Sequence, residues 1–171
     1  WNVEFFDIPY IVNRVTNVIG EDFAKKLSPF NALRERTVHI AGRPNQVFDP
    51  LGVSILDYMQ LYRKFTFVMQ ESYRLDHIAH VELGERKLDY AEHDSLFDLY
   101  KHDWEKFIDY NIQDTVLVKR LDEKLKLIDQ VLAIAYDAKV NYQDTFTSVR
   151  MWDLIIHNYL LDRNIVVPQF K

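Results

Sequence analysis

The chain has 171 residues, of which 48% are hydrophobic and 14% aromatic, as expected for a globular domain with a sizeable core. It contains no cysteine, which excludes disulfides and thiolate metal sites and favours a reducing cytoplasm. No apolar run approaches the roughly 18–20 residues that span a bilayer, and the net charge of −5 argues against a free-standing nucleic-acid binder, whose domains are usually basic.

The first thirty residues are predicted to form two helices. Asp7 can cap the first helix, and Pro9 would lie in its first turn, where the missing N–H costs nothing. Gly20 is the predicted end of this helix, and a short second helix is predicted over residues 21–27.

A β-hairpin is predicted next, over about residues 34–48, because apolar and polar residues alternate on both sides of a turn cluster at 42–45. Its polar, basic face predicts that it protrudes from the domain. Residues 53–56 are predicted to form a buried strand that leads into a helix at 57–62.

The rest of the chain is predicted to be mainly helical. A charged, irregular loop is expected over residues 82–93, and a short strand at 165–167 is expected to close the chain. The helices are predicted at 72–80, 95–100, 103–139 with one break, and 148–163.

The long predicted helix carries a carboxylate in line with its apolar face. The apolar residues of this face form a stripe from Leu117 to Leu132. Extended toward the N-terminus, the stripe passes through Asp114 and then Tyr110. A buried carboxylate needs a base, several donors or a metal as its partner, unless Asp114 lies off the stripe and reaches water. The stripe consists of Leu117, Leu121, Leu125, Ile128 and Leu132.

Asp7 stands in a similar position on the first helix. Stepping back along the apolar residues Val18, Val15 and Ile11 leads to it at helical spacing. The alternative is that Asp7 only caps the helix.

Two short motifs contain these aspartates. Residues 2–7, with an Asn and a terminal Phe-Asp, resemble the second exonuclease motif of family B DNA polymerases, and residues 110–114, Tyr-x-x-x-Asp, resemble the third. Matching words elsewhere extend the resemblance to the T-even bacteriophage type over essentially the whole chain. These words lie at 1–14, 52–58, 61–65, 72–76, 87–90, 152–156 and 167–169.

The resemblance implies an α/β fold, namely a truncated ribonuclease-H-like domain that is helix-rich, with a protruding β-hairpin and its first sheet strands missing. Residues 1–163 would form part of the 3′→5′ proofreading exonuclease of a DNA-directed DNA polymerase. Residues 164–171 would begin the connection toward the polymerase palm. A viral member would act in the cytoplasm of the host cell.

The resemblance also implies a catalytic site that uses two divalent cations, Mg²⁺ or Mn²⁺, for which hard oxygen ligands are suited. Asp7 and Asp114 would be metal ligands, and Tyr110 would position the attacking water. Lys87 would stabilise charge that develops on the phosphate. The alternative for Lys87 is a solvated loop lysine.

The implied partners are the single-stranded 3′ end of DNA, primer–template DNA and the remainder of the polymerase chain, with no membrane partner. Asn2 and Phe6 would contact the 3′-terminal nucleotide; the alternative for Asn2 is a frayed terminal residue. Arg34, Arg36 and Arg43 of the hairpin would contact phosphates, or the hairpin is simply a solvated ribbon.

The first exonuclease motif, Asp-x-Glu, is expected to precede Trp1 in a longer chain; a trimmed small protein is the alternative. We therefore expect the chain alone to be inactive and to self-associate through apolar surface that the missing strands would cover. Two other classes remain open: a standalone ribonuclease-H-like exonuclease, and a non-enzymatic helical interaction module.

Overall fold

The computed structural model describes residues 1–40, 42–89 and 91–166. The chain divides into two compact units. The helical unit consists of Trp1 and Tyr62–Gln130, and the hairpin unit consists of Asn2–Leu61 with the described residues of Val131–Lys171. The predicted extents of the exonuclease segment, 1–163, and of the connection, 164–171, stay predictions.

The hairpin unit begins with a π-turn at Val3–Asp7 that runs directly into α1, Ile8–Ile19. Pro9 explains the wide turn, because it has no N–H to donate to the carbonyl of Phe5 and its ring crowds that carbonyl. The N–H of Ile8 bonds to the carbonyl of Val3 instead, five residues back.

The early start of this helical segment contradicts the capping alternative for Asp7. Asp7 has helical backbone angles, φ −67° and ψ −48°, and its side chain makes no capping hydrogen bond. The predicted end at Gly20 is confirmed, since Gly20 has a φ of 108°, and the short helix α2, Glu21–Lys25, follows it.

The predicted hairpin is confirmed as two antiparallel strands, β1 (Leu33–Ile40) and β2 (Arg43–Pro50). The turn is narrower than predicted: residues 43–45, assigned to it from the sequence, open β2, and Gly42 has a φ of 77°. At the base of the hairpin, Phe48 packs with Val12 and Ala24 in the core of this unit.

The predicted strand at 53–56 is wrong: these residues are irregular and lead into α3, Tyr58–Phe65. Within the described residues the sheet has only β1 and β2, so a further extended segment has no strand to pair with. The chain is helix-rich with one small sheet, which is compatible with a fragment of an α/β fold.

Three helices lie entirely within the described part of the helical unit: α4 (Leu75–Leu83), α5 (Leu96–His102) and α6 (Trp104–Leu125). Helix α6 packs against both α4 and α5. Helix α4 begins three residues later than predicted. Ser95 caps α5 by accepting the N–H of Asp98. The fully buried core residues include Ile78, Leu99, Leu117 and Leu121.

The long C-terminal helical pattern has the single break predicted for it. Lys126 adopts a left-handed conformation, with φ 54°, between α6 and α7, Leu127–Ala138. The break rotates the buried face, so the apolar stripe predicted from the sequence is wrong beyond Leu125. Leu132 is 39% exposed, and the buried residues of α7 are Leu127, Val131, Ala135 and Ala138.

The chain continues through a 3₁₀ turn, Tyr142–Phe146, which packs against α8, Ser148–Leu161. The predicted closing strand is wrong for Ile165 and Val166, which are irregular, and its third residue, 167, lies outside the described residues. Of the helices that the structure describes, none is both long and apolar enough to cross a membrane.

Candidate active site

Lys87, Tyr110 and Asp114 come together in the helical unit, and we refer to them as the Lys87 cluster. Tyr110 and Asp114 lie one turn apart on α6, so their side chains share a face. Lys87, from the segment after α4, donates hydrogen bonds to Tyr110 Oη at 3.1 Å and to Asp114 Oδ2 at 2.5 Å. Three of the four predicted catalytic residues therefore meet.

The position of Lys87 is set by the start of α4. Asp76, in the first turn of that helix, accepts the backbone N–H of Lys87 at 2.9 Å and pairs with Arg86 at 3.1 Å. The side chain of Lys87 is only 25% exposed and is ion-paired with Asp114, so the solvated-lysine alternative is wrong.

Only one of the two carboxylate oxygens of Asp114 has a partner among the described residues. One oxygen pairs with Lys87, whereas Oδ1 is buried and has no hydrogen-bond partner among the residues that the structure describes. A buried carboxylate oxygen without a partner is costly, so it favours a ligand that would supply one. The alternative, in which Asp114 lies off the buried face and reaches water, is correct only in part. The side chain of Asp114 is 27% exposed, but it is also ion-paired with the basic residue Lys87.

The Lys87 cluster holds its lysine in the charged form. Burial is the largest influence and acts to lower the pKa of Lys87, but the hydrogen bonds to Asp114 and Tyr110 and the electrostatic attraction to these two groups outweigh it. The net result is a pKa raised above the usual 10.5.

Replacing Lys87 by Met is expected to destabilise the chain by about 1–3 kcal/mol at neutral pH, because Asp114 would lose its partner while remaining partly buried. Since the folded pKa of Lys87 is raised, this contribution is fully present below about pH 10 and is lost as the pH rises through the folded value. Urea unfolding of both proteins between pH 7 and about pH 11 measures the difference. A gap that has already closed by about pH 9 would contradict the ion pair.

The fourth predicted catalytic residue, Asp7, lies in the hairpin unit at the last position of the π-turn. Burial raises the pKa of Asp7, and the negative charge of Asp57 adds to this rise. In the described part of the chain, no three Asp, Glu or His side chains are grouped so that they could hold a metal ion.

Asp57 is a buried carboxylate that sequence reasoning missed. It is 2% exposed, and its Oδ1 accepts the N–H groups of Asn2 at 3.0 Å and Met59 at 2.9 Å. Its Oδ2 accepts the N–H of Glu4 at 3.3 Å. An aspartate just before a helix signals a cap for α3, but nothing in the sequence signals its bonds to Asn2 and Glu4.

The two residues predicted to contact the terminal nucleotide lie at this same end of the hairpin unit. Asn2 has a left-handed backbone, with φ 63°, immediately before the π-turn. Phe6 is 64% exposed and stacks on Tyr10, with ring centroids 6.4 Å apart and ring planes 10° apart.

Two of the three hairpin arginines already have carboxylate partners. Arg34 and Arg36 pair with Asp49 at 3.1 and 2.9 Å, and Arg36 also pairs with Glu4. Arg43 opens β2 next to the turn. Phosphate contacts by these three arginines stay predictions, and an arginine that exchanges one anion for another would gain less from such a contact.

No family model matches the chain. The chain is 40% identical over 169 residues to a DNA-directed DNA polymerase of Escherichia phage RB69, a match that covers 99% of this chain and 18% of that protein. It is 35% identical over 169 residues to a DNA-directed DNA polymerase of Enterobacteria phage T4, with 99% of this chain and 19% of that protein covered. Over nearly its whole length the chain is homologous to DNA polymerases of T4-like phages, and it spans less than a fifth of either one.

Proposed function

We propose that the chain forms most of the 3′→5′ proofreading exonuclease of a phage DNA polymerase, which removes mispaired 3′-terminal nucleotides by hydrolysis. The observation that carries the proposal is the Lys87 cluster, with one oxygen of Asp114 buried and unpartnered. Similarity to polymerases over 99% of the chain favours this function over a standalone exonuclease or a helical interaction module.

Mg²⁺ or Mn²⁺ is the proposed cofactor, and the donor chemistry of Asp114 fits it. The unpartnered oxygen of Asp114 is a hard, anionic ligand, and Asp7 would supply a second. Because the described residues contain no group of three such side chains, we propose that further oxygens come from polymerase residues outside this chain. When bound, the cations would activate the attacking water and stabilise the leaving 3′ oxygen.

The residues of the Lys87 cluster would orient the reacting groups. Asp114 and Tyr110 hold the ammonium of Lys87 in one place, so that it can face a phosphate oxygen whose charge grows in the transition state. Tyr110 is only 9% exposed and its hydroxyl accepts a hydrogen bond from Lys87, so the side chain is held in place, which suits a group that positions a water.

The Phe6–Tyr10 pair is the proposed contact for the base of the terminal nucleotide. Exposed aromatic faces bind unpaired bases by stacking, which contributes about 1–3 kcal/mol per base. Phe6→Ala is therefore expected to weaken binding of single-stranded DNA by about 5- to 100-fold, measured by fluorescence anisotropy of a labelled strand.

Phe97→Ala is the matched control for this binding test. Phe97 is 65% exposed and stacks on Tyr100 with ring centroids 6.5 Å apart, but it lies in the helical unit on α5. Equal losses of affinity in the two variants would contradict a specific role for Phe6.

The proposed activity can be tested in a chimera in which this chain replaces the matching segment of the RB69 polymerase. We expect the chimera to shorten a 5′-labelled single strand from its 3′ end in the presence of Mg²⁺. Primer extension by the same protein is the control for folding. A chimera that extends primers but leaves 3′ ends intact would contradict the proposal.

The isolated chain is proposed to be inactive, because the further metal ligands would be missing. We also propose that it self-associates. One face of α8 exposes four large side chains at helical spacing, which favours burial against another surface. These are Val149, Trp152, Ile156 and Tyr159.

A further inference from the structure

We propose that Asp57 is a positioning residue for Asp7, and that its carboxylate holds the π-turn so that Asp7 is presented correctly to a metal ion. This inference rests on the proposed function, since it takes Asp7 to be a metal ligand. Asp57 lies outside the exonuclease-like motifs, and the inference is that it orients Asp7, which lies inside one of them.

The first step of the argument is the surroundings of Asp57. A carboxylate that is only 2% exposed needs donors in place of water, and Asp57 has three, all of them backbone N–H groups. Two of these donors, Asn2 and Glu4, belong to the segment that leads into Asp7. The third, Met59, belongs to α3, so that one carboxylate ties the π-turn to that helix.

The second step is the weakness of the π-turn itself. Pro9 removes one of the hydrogen bonds that would hold an ordinary helical start, and the turn is closed by the wider bond from Ile8 to Val3. A turn of this kind depends on anchors outside it. Since Asp7 is its last residue, a small rotation of the turn moves the Asp7 carboxylate directly.

A second anchor acts on the same turn. The side chain of Glu4 is 19% exposed; it pairs with Arg36 of the hairpin and accepts a hydrogen bond from Gln60 of α3. Both the backbone and the side chain of Glu4 are therefore tied down, three residues before Asp7. Small hard cations tolerate little error in ligand position, so anchoring of this kind would affect metal affinity.

A purely structural role is the competing explanation, in which Asp57 only caps α3. The bond from Met59 would suffice for that role. The bonds from Asn2 and Glu4 do nothing for α3, and they are what distinguishes a positioning residue from a cap.

The test uses the RB69 chimera, which supplies the metal ligands proposed to lie outside this chain, with Mn²⁺ itself as the probe, and compares Asp57→Ala and Asp57→Asn with the parent chimera. Asp57→Ala is expected to weaken Mn²⁺ binding, measured by electron paramagnetic resonance, by about 10- to 100-fold. It should also accelerate hydrogen exchange of the amides at residues 2–7. The Mn²⁺ affinity and the exchange rates of Asp57→Asn should fall between those of Asp57→Ala and those of the parent, because the asparagine amide keeps one acceptor oxygen.

A double variant separates positioning from general destabilisation. If Asp57 acts through Asp7, then Asp7→Asn combined with Asp57→Asn should bind Mn²⁺ no more weakly than Asp7→Asn alone. Asp144→Asn is the control, because Asp144 is another buried carboxylate of the hairpin unit, paired with Arg150 at 2.9 Å. It should leave Mn²⁺ affinity and the exchange at residues 2–7 unchanged.

The outcomes distinguish this inference from the proposed function. If Asp7→Asn leaves Mn²⁺ affinity unchanged, the proposed function fails and the inference fails with it. If Asp7→Asn weakens binding but a folded Asp57→Asn does not, the inference alone is overturned. Circular dichroism confirms folding, and Asp57→Asn serves if Asp57→Ala does not fold.

Discussion

Asp114→Asn is expected to slow removal of 3′-terminal nucleotides by the RB69 chimera by at least about a hundredfold. Changes in residues that merely support metal ligands typically reduce metal affinity or activity about 10- to 100-fold, so loss of a ligand should cost at least as much. The substitution removes the negative charge and also breaks the ion pair with Lys87. Asp7→Asn should have a comparable effect, and primer extension should be unchanged in both variants.

Asp109→Asn provides the matched control. Asp109 lies on the same helix, one residue before Tyr110, but its side chain faces solvent. Its replacement changes the net charge of the chain by the same amount and should leave the nuclease rate within about twofold. A nuclease rate that survives Asp114→Asn would remove Asp114 from the site and, with it, the central role given to the Lys87 cluster.

Leu121→Ala is expected to reduce the free energy of unfolding by about 2–5 kcal/mol, whereas Leu132→Ala should cost less than about 1 kcal/mol. The two substitutions delete the same atoms, but Leu121 is fully buried and Leu132 is 39% exposed. Urea unfolding of the two variants and the parent measures both values.

This pair of variants also tests the helix break at Lys126. An uninterrupted helix would place Leu121 and Leu132 on one apolar face, as the sequence pattern suggested, and the two costs would then be similar. A loss of more than about 2 kcal/mol in Leu132→Ala would show that the break and the rotation of the buried face are wrong.

Local spacing was enough to predict two of the three residues of the Lys87 cluster. Tyr110 and Asp114 are four residues apart, and helical periodicity places them on one face whatever surrounds them. That Lys87 lies next to these two residues was implied only by the resemblance to family B polymerases. It depends on the bond from its backbone to Asp76, a contact for which the sequence has no periodic signal.

The errors in the predicted fold also have local physical causes. Apolar spacing continued across Lys126 although the backbone there becomes left-handed, and periodicity cannot show where a helix is interrupted by such a residue. The prediction of Pro9 near a helix start is correct. The sequence did not predict that a π-turn precedes this helix, because that turn depends on how the surrounding backbone accommodates the carbonyl that Pro9 leaves without a donor.

Asp57 shows the limit of reading short motifs. Its position before α3 predicts a cap, which it is, yet its other two bonds reach residues more than fifty positions away. The approach of Asp7 to Asp114 is a long-range relation of the same kind, and it stays a prediction. It rests on the resemblance of the two motifs and on the homology to phage polymerases.

Crystallography with bound Mn²⁺ tests the central claim most directly, through the anomalous scattering of the metal in the RB69 chimera. We predict a peak within about 2.0–2.4 Å of a carboxylate oxygen of Asp114, with an oxygen of Asp7 coordinating the same ion or its neighbour about 3.5–4 Å away. A metal bound elsewhere, with the carboxylates of Asp7 and Asp114 on opposite sides of a well-folded domain, would contradict the account.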